Sequence, residues 1–396
     1  MKRTIKDIDV AGKRVLLRVD FNVPIDENGI ITDDTRIKVE LPTIKYLIMH
    51  NAKVIICSHL GRPDGDVNPK YSLLPVAKYL VKELVGKVYF VSDCVGEEAE
   101  NKVEELKDGD VLLLENLRFH KEEEENDSVF AQKLANLADI YVNDAFGTAH
   151  RKHASTYGVA KLLPNAVGFL MGREINAIRS LIDNPEQPLV AILGGAKVGD
   201  KIGLINHLMG KCKTLLIGGG MAFTFLKANG VSVGKSLVDD EKLDVAKEIL
   251  ERAKANGVNI VLPCDYMCAE EFSPNAKAIK IDGDIPADLQ GMDIGKKTIK
   301  LFKKEIKKAK SLIWNGPLGV FEFKNFARGT AVIAKAVIKF KGKAIVGGGD
   351  SVAAIKKAGD IKRIYHVSSG GGASLKLMAG ESLPGVDIIT EINVEG

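Results

Sequence analysis

Short apolar runs rich in Val, Ile and Leu recur along the whole chain, with amphipathic segments between them. In the first half they occupy residues 15–19, 54–57, 88–91, 111–114 and 140–142, and in the second half 189–193, 215–217, 260–262, 312–314, 344–346 and 364–367. A strand with one wet face alternates apolar and polar side chains, so continuous runs predict strands buried on both faces, as in parallel sheets covered by helices. The segments between them read as helices. In 240–256, Leu243, Ala246, Leu250 and Ala253 make one apolar stripe, Asp239 and Asp240 an acidic start, and Gly257 a stop. This alternation predicts an α/β fold with doubly wound parallel sheets.

A chain of 396 residues with so many strands exceeds one sheet and one domain. Near the middle, residues 170–182 carry Ile175, Ile178 and Ile182 at helical spacing, and Asn184-Pro185-Glu186-Gln187-Pro188 then breaks the pattern. A helix ending in a double-proline break reads as a stiff connector. The expected domains are 1–169 and 189–378, joined by a helix and hinge at 170–188.

Charge and cysteine usage narrow the class. Lys and Arg total 56 against 52 Asp and Glu, too even a balance to indicate nucleic-acid binding. Five scattered cysteines, Cys57, Cys94, Cys212, Cys264 and Cys268, suit a reducing cytosol, and the last two read as structural thiols since no second ligand pair stands near them. No apolar core follows the basic start, and no run approaches the roughly 20 apolar residues of a membrane span. These features predict a soluble, cytoplasmic protein with neither nucleic acid nor membrane as partner.

In open parallel sheets ligands bind beyond the carboxyl ends of the strands. The first half carries Asp20 and Asn22, His59 and Arg62, Arg118, and His150 and Arg151 at those ends, with Arg36 opening the next helix. A single loop arginine is usually just solvated, but guanidinium groups converging from several loops suggest a small, multiply anionic ligand. His150 and His153 lack the carboxylate or cysteine spacing of a metal site.

The second half carries glycines there instead. The chain's 39 glycines exceed the usual share of about 7%, and they cluster as Gly194-Gly195, Gly218-Gly219-Gly220, Gly347-Gly348-Gly349 and Gly370-Gly371-Gly372. One Gly-Gly in a tight turn means little, but four clusters at one sheet edge suggest a phosphate cradle built from backbone N–H groups. No cluster completes G-x-G-x-x-G. The segment 230–236, GVSVGKS, is one residue short of a Walker A loop and follows a helix instead of a strand. Lys197 and Lys201, four apart at a helix start, are expected to project from one face toward phosphates, and Asp350 is the candidate Mg²⁺ ligand.

The segments 18–24 (RVDFNVP), 58–63 (SHLGRP), 115–119 (ENLRF), 143–151 (NDAFGTAHR), 194–201 (GGAKVGDK), 314–322 (WNGPLGVFE) and 347–350 (GGGD) together resemble the phosphoglycerate kinase family, in order and over essentially the whole chain. Ser351 and Ser369 stand where threonine is common in the family, and both swaps keep a hydroxyl. The resemblance implies reversible, Mg²⁺-dependent phosphoryl transfer between 1,3-bisphosphoglycerate plus ADP and 3-phosphoglycerate plus ATP. Transfer would be direct and in line, after closure of two Rossmann-like lobes in a monomer. Residue by residue, it implies that Asp20, Asn22, Arg36, His59, Leu60, Gly61, Arg62, Arg118, His150 and Arg151 hold phosphoglycerate. Gly195, Lys197, Lys201, Gly218, Gly219, Gly291, Asn315, Pro317, Glu322, Gly347, Gly348, Gly349, Asp350 and Ser351 would face the nucleotide, with Glu322 on the ribose and Asp350 on the metal. Arg36 and Lys197 would act on the transferring group, helped by the helix N-terminus at Gly370, Gly371 and Gly372. A segment 379–396 would return to the first lobe. A kinase of another small carboxylate, or a phosphometabolite-binding protein without catalysis, would keep parts of the same pattern.

Overall fold

The computed structural model of the chain describes residues 1–392; the end of the expected C-terminal segment, 393–396, lies outside the described residues. The chain divides into two units, one of Met1–Ile175 with the residues from Ser382 onward, the other Asn176–Glu381. The division falls inside one continuous helix, Phe169–Asp183, a few residues beyond the sequence expectation of 169.

Unit 1 contains strands β1 (Arg14–Arg18), β2 (Lys53–Cys57), β3 (Val88–Phe90), β4 (Val111–Leu113), β5 (Ile140–Asn143) and β6 (Asn165–Val167). All pair in parallel, in the order β3-β4-β2-β1-β5-β6. The helices are α1 (Thr35–Met49), α2 (Leu74–Glu83), α3 (Glu97–Glu105), α4 (Lys121–Glu125), α5 (Ser128–Asn136) and α6 (Phe169–Asp183). The central strands are buried beyond the first residues of β1 and β2, and β3, at the edge, only partly, as apolar runs at the centre of a covered sheet require. Strand β6 has no apolar run in the sequence; its Asn165 starts it with an amide that binds the chain end, accepting from Thr390 N at 2.8 Å.

Unit 2 runs β7 (Leu189–Leu193), α7 (Ile202–Leu208), β8 (Thr214–Ile217), α8 (Met221–Ala228), α9 (Leu243–Ala255) and β9 (Asn259–Val261). Three short antiparallel strands follow, β10 (Asp265–Ala269), β11 (Ile279–Asp282) and β12 (Gln290–Ile294). The parallel pattern then resumes with α10 (Lys296–Lys308), β13 (Ser311–Asn315), α11 (Arg328–Ile338), β14 (Lys343–Gly347), α12 (Gly349–Ala358), β15 (His366–Val367) and α13 (Gly372–Met378). The parallel sheet is ordered β15-β14-β13-β7-β8-β9, and β11-β10-β12 form a separate sheet. That small sheet was not expected from the sequence: its strands carry Asp, Lys, Gln and Gly instead of an apolar run. The stripe of α9 is buried at Ala246, Ile249 and Ala253, with Leu250 half-buried at its margin, and a 3₁₀ turn at Asp240–Lys242 precedes the helix.

Strand order reverses between β1 and β5 in unit 1 and between β7 and β13 in unit 2. Such a switch point opens a crevice at the strand ends, where the flanking crossovers diverge to opposite sides. No helix among the described residues is long and apolar enough to cross a membrane.

Candidate functional site

In unit 1 the strand-end residues hold one another. Asp20, just past β1, accepts from Arg36 Nη1 on its Oδ2 at 2.5 Å and from the Asn22 amide on its Oδ1 at 3.2 Å. Asn22 Oδ1 accepts from Gly61 N at 3.0 Å, and the Gly61 carbonyl accepts from Arg118 Nη1 at 2.7 Å. Arg118 pairs further with Glu124 at 3.1 Å, which Arg151 approaches at 3.8 Å, and Arg151 Nε lies 3.4 Å from His150 Nε2. Gly61 has φ +65°, and a Cβ there would collide with the Tyr71 ring, so this turn requires glycine. Asn116 binds the loops together by bonding the Leu60 N–H and carbonyl, the Tyr71 carbonyl and Arg118 N. Arg62 is exposed and has no protein partner among the described residues, so its charge remains available.

Behind this network lies a cation that sequence reasoning missed. Arg18 is buried at the end of β1, donating to Ser155 Oγ at 2.8 Å and to the Val19 carbonyl, with Nη2 3.3 Å from His59 Nδ1. A guanidinium can only donate, so His59 Nδ1 accepts and the ring proton sits on Nε2. Burial first, then Arg18, Arg118 and Arg36, hold His59 well below the usual imidazole range, and burial with Arg18, Arg118 and Arg151 brings His153 down to about 3. Both imidazoles are neutral, so neither adds to the positive charge that the arginines supply. The one signal for Arg18 in the sequence is a guanidinium set inside the apolar run 15–19. The carboxylate that shares its neighbourhood, Glu123, accepts from Ser155 N at 2.9 Å and Ser155 Oγ at 2.6 Å.

In unit 2 the strand ends are held by main chain. Gly194 N donates to the Asn315 carbonyl, Gly195 N to the Pro317 carbonyl and Gly219 N to the Leu318 carbonyl, at 2.9, 2.9 and 3.1 Å. Three expected cradle donors are therefore spent on the neighbouring loop. Gly219 has φ +66°, and a Cβ there would stand 2.7 Å from Gly195 N, Gly195 O and Pro317 O, so these glycines pack loop on loop. Gly218 is packed in the same way by the Leu318 side chain. The indole of Trp314 anchors the arrangement, donating to the Gly316 carbonyl at 2.8 Å. Free donors remain in the first turn of α12, where the N–H groups of Gly349, Asp350 and Ser351 have no intrahelical partner.

The lysine pair differs from expectation. Lys201 closes a 3₁₀ turn at Gly199–Lys201 and starts α7, whereas Lys197 stands in the preceding turn, so the two do not share a helical face. Lys201 is committed to Asn315 Oδ1, and burial lowers its ammonium against the pull of Asp200 and Asp350. Lys197 and Asp350 are exposed and make no hydrogen bond or ion pair among the described residues. Ser351 is buried and its hydroxyl accepts from Gly316 N at 2.6 Å, which makes the side chain a support for the loop. Gly347 packs against Met378, and Gly370 N donates to Ser368 Oγ at 3.2 Å ahead of the short α13. Gly371 has no neighbour where a Cβ would point.

Beside these loops unit 2 encloses a cavity of about 310 Å³, lined by Gly195, Gly219, Gly291, Pro317, Glu322 and Asp350 among the expected residues. Gly291 forms part of its wall because a Cβ there would strike the Phe223 ring. The apolar lining, including Phe223, Leu237, Tyr266 and Met292, was not legible in the sequence, since it comes from α8, the loop after it and the unexpected small sheet. Burial pushes the carboxyl of Asp293, in the same wall, up to about 8, although it accepts from Gly329 N and Ile294 N. The 230–236 loop spends the N–H groups of Val231, Ser232, Lys235 and Ser236 on the protein, which leaves it no phosphate nest.

Metal-ligand types also meet away from both sites. Asp93, Cys94 and His120 bring one donor atom each within 4.8 Å, but His120 Nε2 bonds Asp93 at 2.7 Å and burial keeps the Cys94 thiol protonated. All five cysteines are free thiols.

A family model described as phosphoglycerate kinase matches residues 5–381. The phosphoglycerate kinase of Finegoldia magna is 53% identical over 98% of this chain and 99% of its own length, and the cytosolic phosphoglycerate kinase 3 of Arabidopsis thaliana is 52% identical over 98% of each. Among solved structures, phosphoglycerate kinase from Coxiella burnetii superposes with a TM-score of 0.89 at 40% identity, covering 98% of both chains. The enzyme from Pyrococcus horikoshii does so with a TM-score of 0.84 at 36% identity, again covering 98% of both. The strand-end motifs, the two parallel sheets and these full-length matches agree, and the chain belongs to the phosphoglycerate kinase family.

Proposed function

We propose that this chain carries out the family's glycolytic reaction by dividing the substrates between its units: phosphoglycerate on the arginines of unit 1, the nucleotide in the cavity of unit 2. The observation that carries the assignment is the contrast in free groups. Unit 1 leaves arginine charge at the strand ends, and unit 2 leaves Lys197, Asp350 and the first turn of α12 beside an apolar cavity. The cavity suits a flat base, with Glu322 placed for a ribose hydroxyl and Gly195, Gly219, Gly291 and Pro317 allowing close approach.

The chemistry needs no general base. The nucleophile, a phosphate oxygen of ADP, is already ionised at pH 7; it bonds to phosphorus as the bond to the acyl oxygen breaks and a carboxylate leaves. What remains is alignment and charge neutralisation, which fall to Arg36, Lys197 and the helix N-termini at Gly349 and Gly370–Gly372. Asp350 fits a Mg²⁺ site in which phosphates and water fill the other positions, because its carboxylate is exposed and uncommitted. Bound there, the ion would neutralise nucleotide phosphate charge. Because the substrates start on different units and an acyl phosphate hydrolyses in water, the reading includes closure about the connector 170–188. The protein acts as a cytoplasmic monomer in this reading.

ATP formation from 1,3-bisphosphoglycerate and ADP tests it. Turnover is expected with Mg²⁺ and not after chelation. Turnover on another acyl phosphate but not this one would point to a kinase of a different carboxylate.

A further inference from the structure

Two residues one turn apart on α1 grip Asp20. Arg36 takes its carboxylate, and Glu40 Oε1 accepts its backbone N–H at 3.1 Å. Arg36 was expected at this site; Glu40 was not. Glu40 is fully buried, and its second oxygen, Oε2, receives no donor. Beside it lies the carboxyl of Asp144, also fully buried and in hydrogen-bonding contact with Glu40.

The partners of the two carboxyls differ. Asp144 accepts from Met171 N at 2.8 Å on one oxygen and from Thr43 Oγ1 on the other, and Thr43 Oγ1 in turn receives Phe169 N at 3.0 Å. Asp144 is therefore the ionised member, holding the first turn of α6. An Oε2 with no donor is what a protonated oxygen leaves, because it needs an acceptor, and Asp144 supplies one. Two carboxylates cannot both be ionised in contact and out of water. The charged groups facing Glu40 are Asp144 and Asp20, both acidic; Arg36 on the same helix pairs with Asp20. The α6 turn packed there presents Phe169, Leu170 and Met171, which do not titrate.

We propose that Glu40 is a positioning residue for the anion subsite of unit 1, acting in its protonated form: one oxygen accepts the Asp20 backbone N–H while the other keeps its proton and donates it in a hydrogen bond to Asp144. Loss of that proton sets two buried carboxylates against each other, and the strain falls on Asp20 and the guanidinium it orients. Burial and the Asp144 charge both push the Glu40 carboxyl well above its ordinary range, so the proton is lost only as pH rises. The proposal rests on the reading that Asp20 and Arg36 serve phosphoglycerate.

The test is steady-state kinetics of wild type, Glu40→Gln, Glu40→Ala and Arg36→Ala between about pH 6 and 9.5. Wild type is expected to show a KM for 3-phosphoglycerate that climbs about tenfold toward alkaline pH while the KM for ATP stays level. Glutamine stays neutral, donates to Asp144 and accepts from Asp20, so Glu40→Gln is expected to keep the neutral-pH KM within about twofold and abolish the climb. Glu40→Ala is expected to raise this KM at every pH. A flat wild-type profile, or a Glu40→Gln profile that climbs like wild type, overturns the proposal; so does a Glu40→Gln KM at neutral pH as high as that of Glu40→Ala. Since Glu40→Gln alone decides, misfolding of the alanine variant does not shelter the idea. If Arg36→Ala leaves the 3-phosphoglycerate KM unchanged, the subsite reading itself fails; if it raises that KM while Glu40→Gln still climbs, only the role of Glu40 fails.

Discussion

At the strand ends of unit 1, side chains hold side chains: Asp20 with Arg36, Asn22 with the Gly61 amide, Arg118 with the Gly61 carbonyl and Glu124. At those of unit 2, main chain holds main chain, with Gly194, Gly195 and Gly219 donating to the loop after β13. The first arrangement gathers charge and is tuned by changing one functional group at a time. The second has no tolerance for an added Cβ, yet it leaves Lys197 and Asp350 without hydrogen bonds or ion pairs, so those side chains can spend their charge on a ligand. The glycines thus act mainly by letting loops approach each other, and the free N–H groups lie one turn further on, in α12.

The largest effect that would sharpen this contrast comes from the uncommitted cation. Lys197→Ala is expected to lower kcat by about 10²–10³-fold, the usual cost of losing a group that stabilises transition-state charge, while 3-phosphoglycerate affinity stays within about threefold. A kcat that survives within a few-fold would remove Lys197 from the transferring group.

A second effect separates the units by pH. His153 titrates at about 3 in the fold against about 6.5 in an unfolded chain, and His59 is lowered for the same reasons. Between those values the unfolded chain binds protons that the native state refuses, so stability falls as pH drops from about 6.5 toward 3. Urea midpoints should therefore fall less in His153→Gln than in wild type over this window. Added 3-phosphoglycerate should oppose the fall, since an anion beside Arg18 and Arg118 lets the imidazoles protonate more readily. Equal slopes for the two proteins would place the acid sensitivity elsewhere.

The smallest effect concerns Ser351. Its hydroxyl is spent on Gly316 N, so Ser351→Ala is expected to lose about 1 kcal/mol of stability and change ADP affinity less than about twofold. A larger loss of ADP binding would return the side chain to the nucleotide.

Much of this was legible because apolar runs fix parallel strands, and parallel strands fix where ligands go. The runs at 15–19, 189–193 and 312–314 located the loops that carry Asp20, Lys197 and Asn315. Three things were not legible. The small sheet has no apolar run, so Tyr266 and Met292 of the cavity wall had no signal. The buried polar groups Arg18, Glu40 and Asp144 find their partners only once distant segments meet, and no local pattern announces such partners. The lysine spacing of four suggested a shared face, but the helix begins at Ile202, too late to include Lys197.

The central claim is that each unit holds its own substrate by its own means, and calorimetric titration of 3-phosphoglycerate and of ADP into Arg36→Ala and Gly219→Ala tests it most directly. Arg36→Ala is expected to weaken 3-phosphoglycerate by about tenfold or more and leave ADP within about twofold, and Gly219→Ala to do the reverse. If either variant loses both ligands together while remaining folded, the division of labour between the units is wrong.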